Sequence, residues 1–233
     1  MKLCNELPLY GEALLRLFYP GLCASCDKLL ALEERGLCGS CLRKLSDLKF
    51  LPSEEKIRIN FLTGSEGWGL FHYEGLVKEV LHKIKFEGRR DLLQIFYPEI
   101  EAFLARRSQL VSYDSILPIP LDFHRRLERE FNQSGLLAHK IHEILGKPRL
   151  LKRALRRRRS ILPQSLLGRE ARRINISHAF RVMDPQGIKN QSVLLVDDIF
   201  TTGATLGEVS KTLKAAGATH IGYSVLARTM SRQ

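Results

Sequence analysis

Residues 193–205 read VLLVDDIFTTGAT, and this stretch decides the fold. Its four consecutive apolar residues are typical of a strand that a parallel sheet buries on both faces. Two carboxylates, Asp197 and Asp198, follow the apolar run, and small and hydroxyl residues come next. An amphipathic pattern then begins at Leu206. The stretch therefore predicts a strand, an acidic pair, a loop and a helix in that order.

The predicted loop at 201–205 suits a phosphate group. Its backbone N–H groups can converge at the amino terminus of the helix, where the helix dipole favours an anion. Gly203 allows close approach of the backbone. Three threonine hydroxyls can add donors around the same anion: Thr201, Thr202 and Thr205. Neither the Gly-Lys-Ser/Thr of a nucleoside-triphosphate loop nor the Gly-x-Gly-x-x-Gly of a dinucleotide loop occurs at this position.

The acidic pair before the loop needs a different partner, because carboxylates repel a phosphate. Asp197 and Asp198 can accept hydrogen bonds from neighbouring hydroxyls, and the loop begins shortly after them. The pattern therefore favours a ribose 5-phosphate whose diol contacts the acids and whose phosphate lies in the loop. The alternative is an acidic strand end followed by threonines that cap a helix.

Strands and helices alternate on both sides of this segment. Apolar runs predict strands at 69–73, 114–120, 191–198 and 220–227. Helical spacing of apolar residues predicts helices at 9–18, 76–84, 92–107, 136–145 and 206–216, with Pro98 interrupting the third. Such alternation predicts an α/β domain with a mainly parallel sheet.

Four of the five cysteines form two CxxC pairs, Cys23 with Cys26 and Cys38 with Cys41, separated by eleven residues. Two such knuckles can direct four thiolates at one centre, which is the tetrahedral sulfur environment of structural zinc. Disulfide or redox pairing is the main alternative, but stable disulfides are rare in a reducing compartment. Four thiolates leave no open coordination position, so the pattern predicts structural and not catalytic zinc.

The composition of the chain points to anionic partners. Its 233 residues include 37 Lys and Arg against 25 Asp and Glu, a net charge of +12. This balance favours phosphorylated metabolites, nucleic acid or a lipid surface, and the 44% hydrophobic content excludes wholesale disorder. No apolar run is long enough to span a bilayer, and Glu6, Glu12 and Arg16 interrupt the apolar amino terminus. We therefore expect a cytoplasmic protein without integral membrane association.

The basic charge is concentrated at 151–181, where ten Lys or Arg accompany a single acid, Glu170. The segment includes four consecutive arginines at 156–159. A nucleic-acid backbone is one partner that such a segment can hold, because counterion release drives its binding to cations. A solvated basic surface is the alternative. Tyr97, Phe103 and Trp68 do not interleave with the arginines, so the sequence shows no stacking platform for bases.

The segment 193–205 resembles the phosphoribosyl-pyrophosphate (PRPP) signature of the type I phosphoribosyltransferases. Other motifs narrow the resemblance to the ComF/GntX competence-protein family: the two CxxC pairs, Tyr73-Glu-Gly with Ile84-Lys-Phe-Glu-Gly88, Leu117-Pro-Ile-Pro-Leu121 with Phe131-Asn-Gln133, and Gln164, Arg172 and Asn175 before Ala179-Phe180. The resemblance runs from about residue 15 to Arg228. One position departs from it, because Glu130 stands between Arg129 and Phe131 where the family usually has glycine.

The resemblance implies a type I phosphoribosyltransferase-like α/β fold, with a mainly parallel sheet flanked by helices, and a small amino-terminal zinc ribbon. It implies that Asp197 and Asp198 contact the ribose hydroxyls. The residues implied to hold the 5-phosphate are Thr201, Thr202, Gly203, Ala204 and Thr205. The candidate pyrophosphate ligands are Lys85, Arg125, Arg126 and Arg129, and the arginine-rich segment could clamp the same group. Magnesium would accompany PRPP, and Zn²⁺ would be structural.

The resemblance also suggests a domain organisation and two functions. Residues 1–50 would form an amphipathic helix and zinc ribbon, 51–110 a linker and hood region, and 111–233 the phosphoribosyltransferase-like core. The first function is transfer of phosphoribosyl from PRPP to an unidentified nitrogen acceptor, linked to DNA uptake and natural transformation. The second is a non-catalytic DNA-uptake or DNA-binding factor that retains a PRPP-type site. The partners would be PRPP or another ribose 5-phosphate compound, with single-stranded DNA or DNA-uptake proteins.

Overall fold

The computed structural model describes residues 21–57, 65–121, 131–157 and 179–229. The helix predicted at 9–18 lies outside these residues. Within the four described ranges, no helix combines the length and the apolar character needed to cross a membrane.

The described residues divide into two compact units. The first unit combines residues 21–49 with Glu74–Phe96, and the second contains the remaining described residues. The chain therefore passes between the units three times, after Lys49, after Tyr73 and after Phe96.

The first unit contains the two cysteine knuckles and one long helix. Helix α1 (Gly39–Ser46) belongs to the second knuckle, α2 (Gly75–Phe86) follows, and a 3₁₀ helix (Arg90–Phe96) ends the unit. The buried apolar residues of α2 fall at helical spacing: Leu76, Val77, Val80, Leu81 and Ile84. The helix predicted at 76–84 is thus confirmed. The Ser25 hydroxyl donates to the Glu79 carboxylate at 3.2 Å, which ties the first knuckle to α2.

A six-stranded sheet forms the centre of the second unit. The strands of the protein, in chain order, are β1 (Lys56–Ile57), β2 (Glu66–His72), β3 (Ser115–Pro118), β4 (Arg149–Leu150), β5 (Leu155–Arg157), β6 (Phe180–Val182), β7 (Ser192–Phe200) and β8 (His220–Arg228). The sheet has the order β1-β2-β8-β7-β3-β4, and every neighbouring pair is parallel except β1 with β2. The predicted mainly parallel sheet is confirmed.

Helices cover both faces of this sheet. The helices of the second unit are α3 (Tyr97–Ala105), α4 (Gln133–Leu145) and α5 (Ala204–Ala215). Successive residues of a strand point to opposite faces. Val193 and Leu195 of β7 pack in an apolar cluster with residues of α5. Val196 lies on the other face and lines a small cavity with residues of α3 and α4.

The helix predicted at 92–107 is two separate elements in the structure. The 3₁₀ helix ends at Phe96, α3 begins at Tyr97, and the boundary between the two units falls between them. Pro98 is the second residue of α3. Proline is tolerated in the first turn of a helix, because an N–H there has no intrahelical acceptor. Pro98 therefore helps to start α3 and does not kink a longer helix.

Two glycines of the sheet make room for tyrosine rings. Gly67 of β2 lies opposite Tyr223 of β8, and a Cβ at Gly67 would overlap the Tyr223 ring. A Cβ at Gly222 would likewise overlap the hydroxyl end of Tyr113. Both tyrosines are buried, and this burial raises the pKa of each phenol to about 12. Both rings are therefore neutral core residues.

A two-stranded antiparallel ribbon, formed by β5 and β6, lies apart from the main sheet. Leu155 of β5 and Phe180 of β6 are buried and join the apolar cluster that contains Leu206 of α5. The apolar pattern of the sequence did not predict this ribbon, because its six residues include three arginines.

Candidate functional site

The acidic pair lies on β7 near the carboxyl end of the strand. β7 continues for two residues beyond Asp198, because Ile199 and Phe200 still pair with Ala227 and Arg228 of β8. The strand is therefore longer than the predicted 191–198. β2, β8, β7 and β3 run parallel, so their carboxyl ends meet at one edge of the sheet. Open α/β sheets bind their ligands at this edge.

Asp197 is fixed in place by two hydrogen bonds to the same carboxylate oxygen. The Ser134 hydroxyl donates to Asp197 Oδ1 at 2.8 Å, and the Asp198 backbone N–H donates to it at 2.9 Å. Ser134 is the second residue of α4 and is only 3% exposed. The buried amino-terminal turn of α4 thus sets the orientation of an acid on the neighbouring strand.

Asp198 lies in a less exposed environment next to Tyr73. Its side chain is buried, with 8% of the residue exposed. Burial, and secondly the negative charge of Asp198, raises the pKa of the Tyr73 phenol. Tyr73 follows β2 directly and donates its backbone N–H to the Arg228 carbonyl at 2.8 Å, which holds it at the same sheet edge. A protonated hydroxyl donor therefore stands close to the acidic pair.

The loop after β7 has the backbone shape that the sequence predicts for a helix start. Gly203 is the N-cap of α5 and has φ = 75°, in the left-handed region that favours glycine. Thr201, Thr202 and Ala204 are exposed, whereas Gly203 is buried. Helix α5 has 12 residues, so its amino terminus carries a substantial partial positive charge. The loop is thus open to an anion at the end of a full helix.

The start of α4 contains two buried polar groups that the sequence did not assign to the site. Asn132 donates its side-chain amide to the Ile119 carbonyl at 3.0 Å and so ties the start of α4 to the end of the β3 region. Within the described part of the chain, Asn132 Oδ1 and Gln133 Nε2 are buried without a hydrogen-bond partner. Gln133 is only 1% exposed.

Three residues of this edge were missed as site residues: Tyr73, Gln133 and Ser134. Tyr73 and Gln133 belong to the motifs that carry the family resemblance, which was the available signal for them. Ser134 follows those motifs immediately, but its bond to Asp197 spans 63 residues of sequence. No local pattern predicts such a contact.

The described structure does not test the predicted pyrophosphate ligands. Arg125, Arg126 and Arg129 lie outside the described residues, as does Glu130. Lys85 belongs to α2 in the first unit, whereas Asp197 belongs to the second. The described part of the predicted site is therefore the acidic pair with the loop at 201–205.

The four predicted zinc ligands form one cluster in the first unit. The sulfur atoms of Cys23, Cys26, Cys38 and Cys41 all lie within 4.8 Å of one another. Three of these cysteines are buried and Cys26 is exposed, and none is in a disulfide. The Cys38 backbone N–H donates to the Cys23 sulfur at 3.4 Å. Four sulfur donors in a closed group fit tetrahedral zinc, so the cluster could hold this ion.

Without a metal ion, the four thiols have very different acidities. Hydrogen bonds from the Ser40 hydroxyl and the Cys41 backbone lower the pKa of Cys38 to about 6. Burial, together with the neighbouring cysteines, raises the pKa of Cys41 to about 12. A bound cation would deprotonate all four thiols, because thiolates are the metal-binding form. Metal binding would therefore release a proton from Cys41 at neutral pH, because its pKa is raised.

Comparison with known proteins agrees with this architecture. The phosphoribosyl transferase domain family matches residues 116–233, which span β3 to β8. Competence protein F of Haemophilus influenzae is 30% identical over 219 residues, with 89% of this chain and 90% of that protein covered.

Two further relatives have names that refer to DNA or competence. DNA utilization protein YhgH of Escherichia coli O6:H1 is 29% identical over 229 residues and covers 92% of this chain and 100% of its own length. Competence protein ComFC of Streptococcus pneumoniae is 27% identical over 208 residues, with 89% and 87% covered. With its four-cysteine cluster and its phosphoribosyl transferase domain, this chain belongs to the ComF/GntX competence-protein family.

Proposed function

We propose that the second unit binds PRPP, or a related ribose 5-phosphate compound, at the carboxyl edge of its sheet. The observation that carries this proposal is the arrangement along β7 and α5. Asp197 is held by Ser134, Asp198 lies beside it, and Gly203 opens the loop at the helix amino terminus. The acids suit the ribose hydroxyls, and the loop at 201–205 suits the 5-phosphate.

The same site would support phosphoribosyl transfer. The bond between ribose C1 and pyrophosphate breaks with its electron pair going to pyrophosphate, a bond between C1 and the acceptor nitrogen forms, and that nitrogen releases a proton to water. Positive charge develops on the ribose in this step, and the two carboxylates on β7 would stabilise it. The loop would hold the phosphate end still, so that the acceptor and C1 stay aligned. The acceptor is a nitrogen nucleophile of a class that the hood region would select.

The remaining ligands are part of the proposal. Lys85, Arg125, Arg126 and Arg129 are the candidate partners of the pyrophosphate group. Magnesium would accompany PRPP and neutralise charge between its pyrophosphate and ribose oxygens. Zinc would occupy the cysteine cluster as a structural ion. We further propose a cytoplasmic location without integral membrane association.

Calorimetric titration with PRPP and magnesium tests the site. We expect saturable binding to the zinc-loaded protein and its loss in the Asp197→Ala/Asp198→Ala variant, because that variant has no acceptor for the ribose diol. The matched control is Asp184→Ala, which removes an exposed acid that accepts a hydrogen bond from Gly187 in a turn. Absence of binding to the unaltered protein, or equal binding by the double variant, would rule out the proposed site.

Ser134→Ala is expected to lower PRPP affinity by roughly tenfold, because a hydrogen bond to a charged group contributes about 1.5–3 kcal/mol and this one orients Asp197. The matched control is Ser210→Ala, since Ser210 is equally buried but its hydroxyl has no hydrogen-bond partner in the described structure. Titration of both variants with PRPP measures the difference. Equal affinities would show that Ser134 does not position the acid.

A second candidate function is DNA handling without catalysis. The names of the relatives favour it, since they refer to competence and to DNA utilization. The net charge of +12 favours an anionic partner of this kind. In this alternative the PRPP-type site is retained for ligand binding alone, and single-stranded DNA or DNA-uptake proteins are the partners.

A further inference from the structure

The β5–β6 ribbon places two arginines directly opposite each other. Arg156 of β5 is the register partner of Arg181 of β6. Side chains that are directly opposite in an antiparallel pair project from the same face, with Cβ atoms about 5 Å apart. Leu155 and Phe180 occupy the other face and are buried in the apolar cluster. Arg156 and Arg181 therefore project together into solvent, and both are exposed.

This arrangement is unfavourable for the ribbon alone. Like charges directly opposite each other destabilise an antiparallel pair. Neither guanidinium forms an ion pair or hydrogen bond with another described residue. The third arginine of the ribbon, Arg157, lies on the same face as Leu155 and Phe180. Its guanidinium carbon is 5.6 Å from the centre of the Phe180 ring. The two exposed arginines thus lack a partner within the described chain, and an external anion would relieve their repulsion.

The sequence around the ribbon adds to the positive charge. Residues 149–157 and 179–183 contain six Lys or Arg and no Asp or Glu. Among them, Lys152 and Arg153 are exposed in the turn that leads into β5. The nearest acid along the chain, Asp184, accepts the Gly187 backbone N–H at 2.9 Å in the next turn. The exposed face of the ribbon therefore carries two cations, Arg156 and Arg181, and the turn before it adds Lys152 and Arg153 nearby in the sequence.

We propose that this face of the ribbon binds the phosphate backbone of nucleic acid. A planar guanidinium matches phosphate oxygens in a bidentate way, and two of them side by side can contact adjacent phosphates. Small phosphorylated ligands bind in concave pockets, whereas this surface is an exposed ribbon face with two adjacent arginines. The arginines on that face have no aromatic neighbour on it, so the contact does not read bases. The inference rests on the proposed DNA handling and does not involve the PRPP site.

Salt-dependent binding of a labelled oligothymidylate to the full chain tests the proposal. In Arg156→Gln/Arg181→Gln we expect the slope of log affinity against log salt to decrease by about 1.4, or about 0.7 for each lost phosphate contact. This corresponds to a roughly 25-fold loss of affinity at 0.1 M salt. The matched control, Lys211→Gln/Lys214→Gln, removes the same charge from exposed positions of α5 and should change affinity much less.

Charge reversal at one arginine separates binding from folding. Arg181→Glu places a carboxylate opposite Arg156, which replaces repulsion by attraction across the ribbon. We expect the thermal midpoint of this variant to rise or stay unchanged, while its affinity for the oligonucleotide falls at least as far as in the double glutamine variant. A lower midpoint with unchanged affinity would show that the arginines stabilise the fold, and would overturn the proposal.

The remaining outcomes distinguish this inference from the functions it builds on. If the unaltered protein binds no oligonucleotide, the proposed DNA handling fails and the ribbon inference fails with it. If it binds and both double variants bind equally well, only the ribbon inference fails. PRPP titration of Arg156→Gln/Arg181→Gln is the last measurement. Loss of PRPP binding with intact oligonucleotide binding would show that the two arginines bind the small ligand, and would overturn the proposal.

Discussion

Replacing Cys41 with serine is expected to release the zinc ion and to unfold most of residues 21–49. Cys41 is buried, and its sulfur lies within 4.8 Å of the other three sulfurs. A segment this short gains little from apolar burial alone, whereas structural zinc contributes about 10–16 kcal/mol in small zinc-binding peptides. Metal analysis of the purified protein should give one zinc per chain for the unaltered protein and much less for Cys41→Ser.

Limited proteolysis shows whether the fold of the segment depends on the metal. New cleavage within residues 21–49 is expected in Cys41→Ser and in the unaltered protein after treatment with a chelator. Cys4→Ser is the matched control, because it removes the one cysteine that belongs to neither CxxC pair. Full zinc content and unchanged protection in Cys41→Ser would contradict a structural four-sulfur site.

Gly67→Ala is expected to destabilise the second unit by about 3 kcal/mol. A Cβ at this position would overlap the Tyr223 ring on the neighbouring strand, and Tyr223 is fully buried. Overpacking a closed core costs about 1–3 kcal/mol or more, because side chains and backbone must both shift. The only tryptophan, Trp68, is buried next to Gly67 in β2. Its fluorescence during urea unfolding reports directly on this part of the sheet.

Gly69→Ala is the matched control for this experiment. Gly69 lies on the same strand and the same side as Gly67, but the nearest atoms to its Cβ would be Cδ and Cγ of Arg228, at 3.2 and 3.3 Å. A long side chain can move by a few tenths of an ångström, so we expect a loss below about 1 kcal/mol. Equal unfolding midpoints for the two variants would show that the Tyr223 ring does not set the limit at Gly67.

The sequence predicted the parts of the fold that have strong local patterns. The apolar run at 193–196 marks β7, and the spacing of apolar residues marks α2. The end of β7 was harder to predict, because it depends on how far β8 continues beside it. β1 has only two residues, too few to form a pattern. The ends of such strands depend on pairing partners that are distant in the sequence.

In the candidate site, too, the residues with a local pattern were predictable and those brought in by distant contacts were not. The acidic pair and the loop at 201–205 are contiguous, and their residue types alone suggest a sugar phosphate. Ser134 and Tyr73 reach the same edge only because α4 and β2 pack beside β7 and β8 in space. The four cysteines were predictable as one cluster, since two short knuckles suffice to bring them together.

The sequence did not predict the β5–β6 ribbon for a different reason. Its strands are separated by the 22 residues between Arg157 and Phe180, and they are short and rich in arginine. Strand prediction relies on β-branched and aromatic residues in alternation, and only one face of this ribbon is apolar. The sequence therefore predicted the charge of the segment but not that two arginines stand side by side.

The three passages of the chain between its two units bear on how such a protein can be divided. Removal of residues 1–49 would take away the cysteine knuckles but leave Glu74–Phe96, the other half of the same unit, within the remaining chain. The apolar residues of α2 would then lose the partners that belong to their own unit. The segment with the cysteine cluster therefore cannot be moved to another protein as one continuous piece. A gene fusion that transfers it to another protein has to carry two separate pieces and rejoin them in the same order.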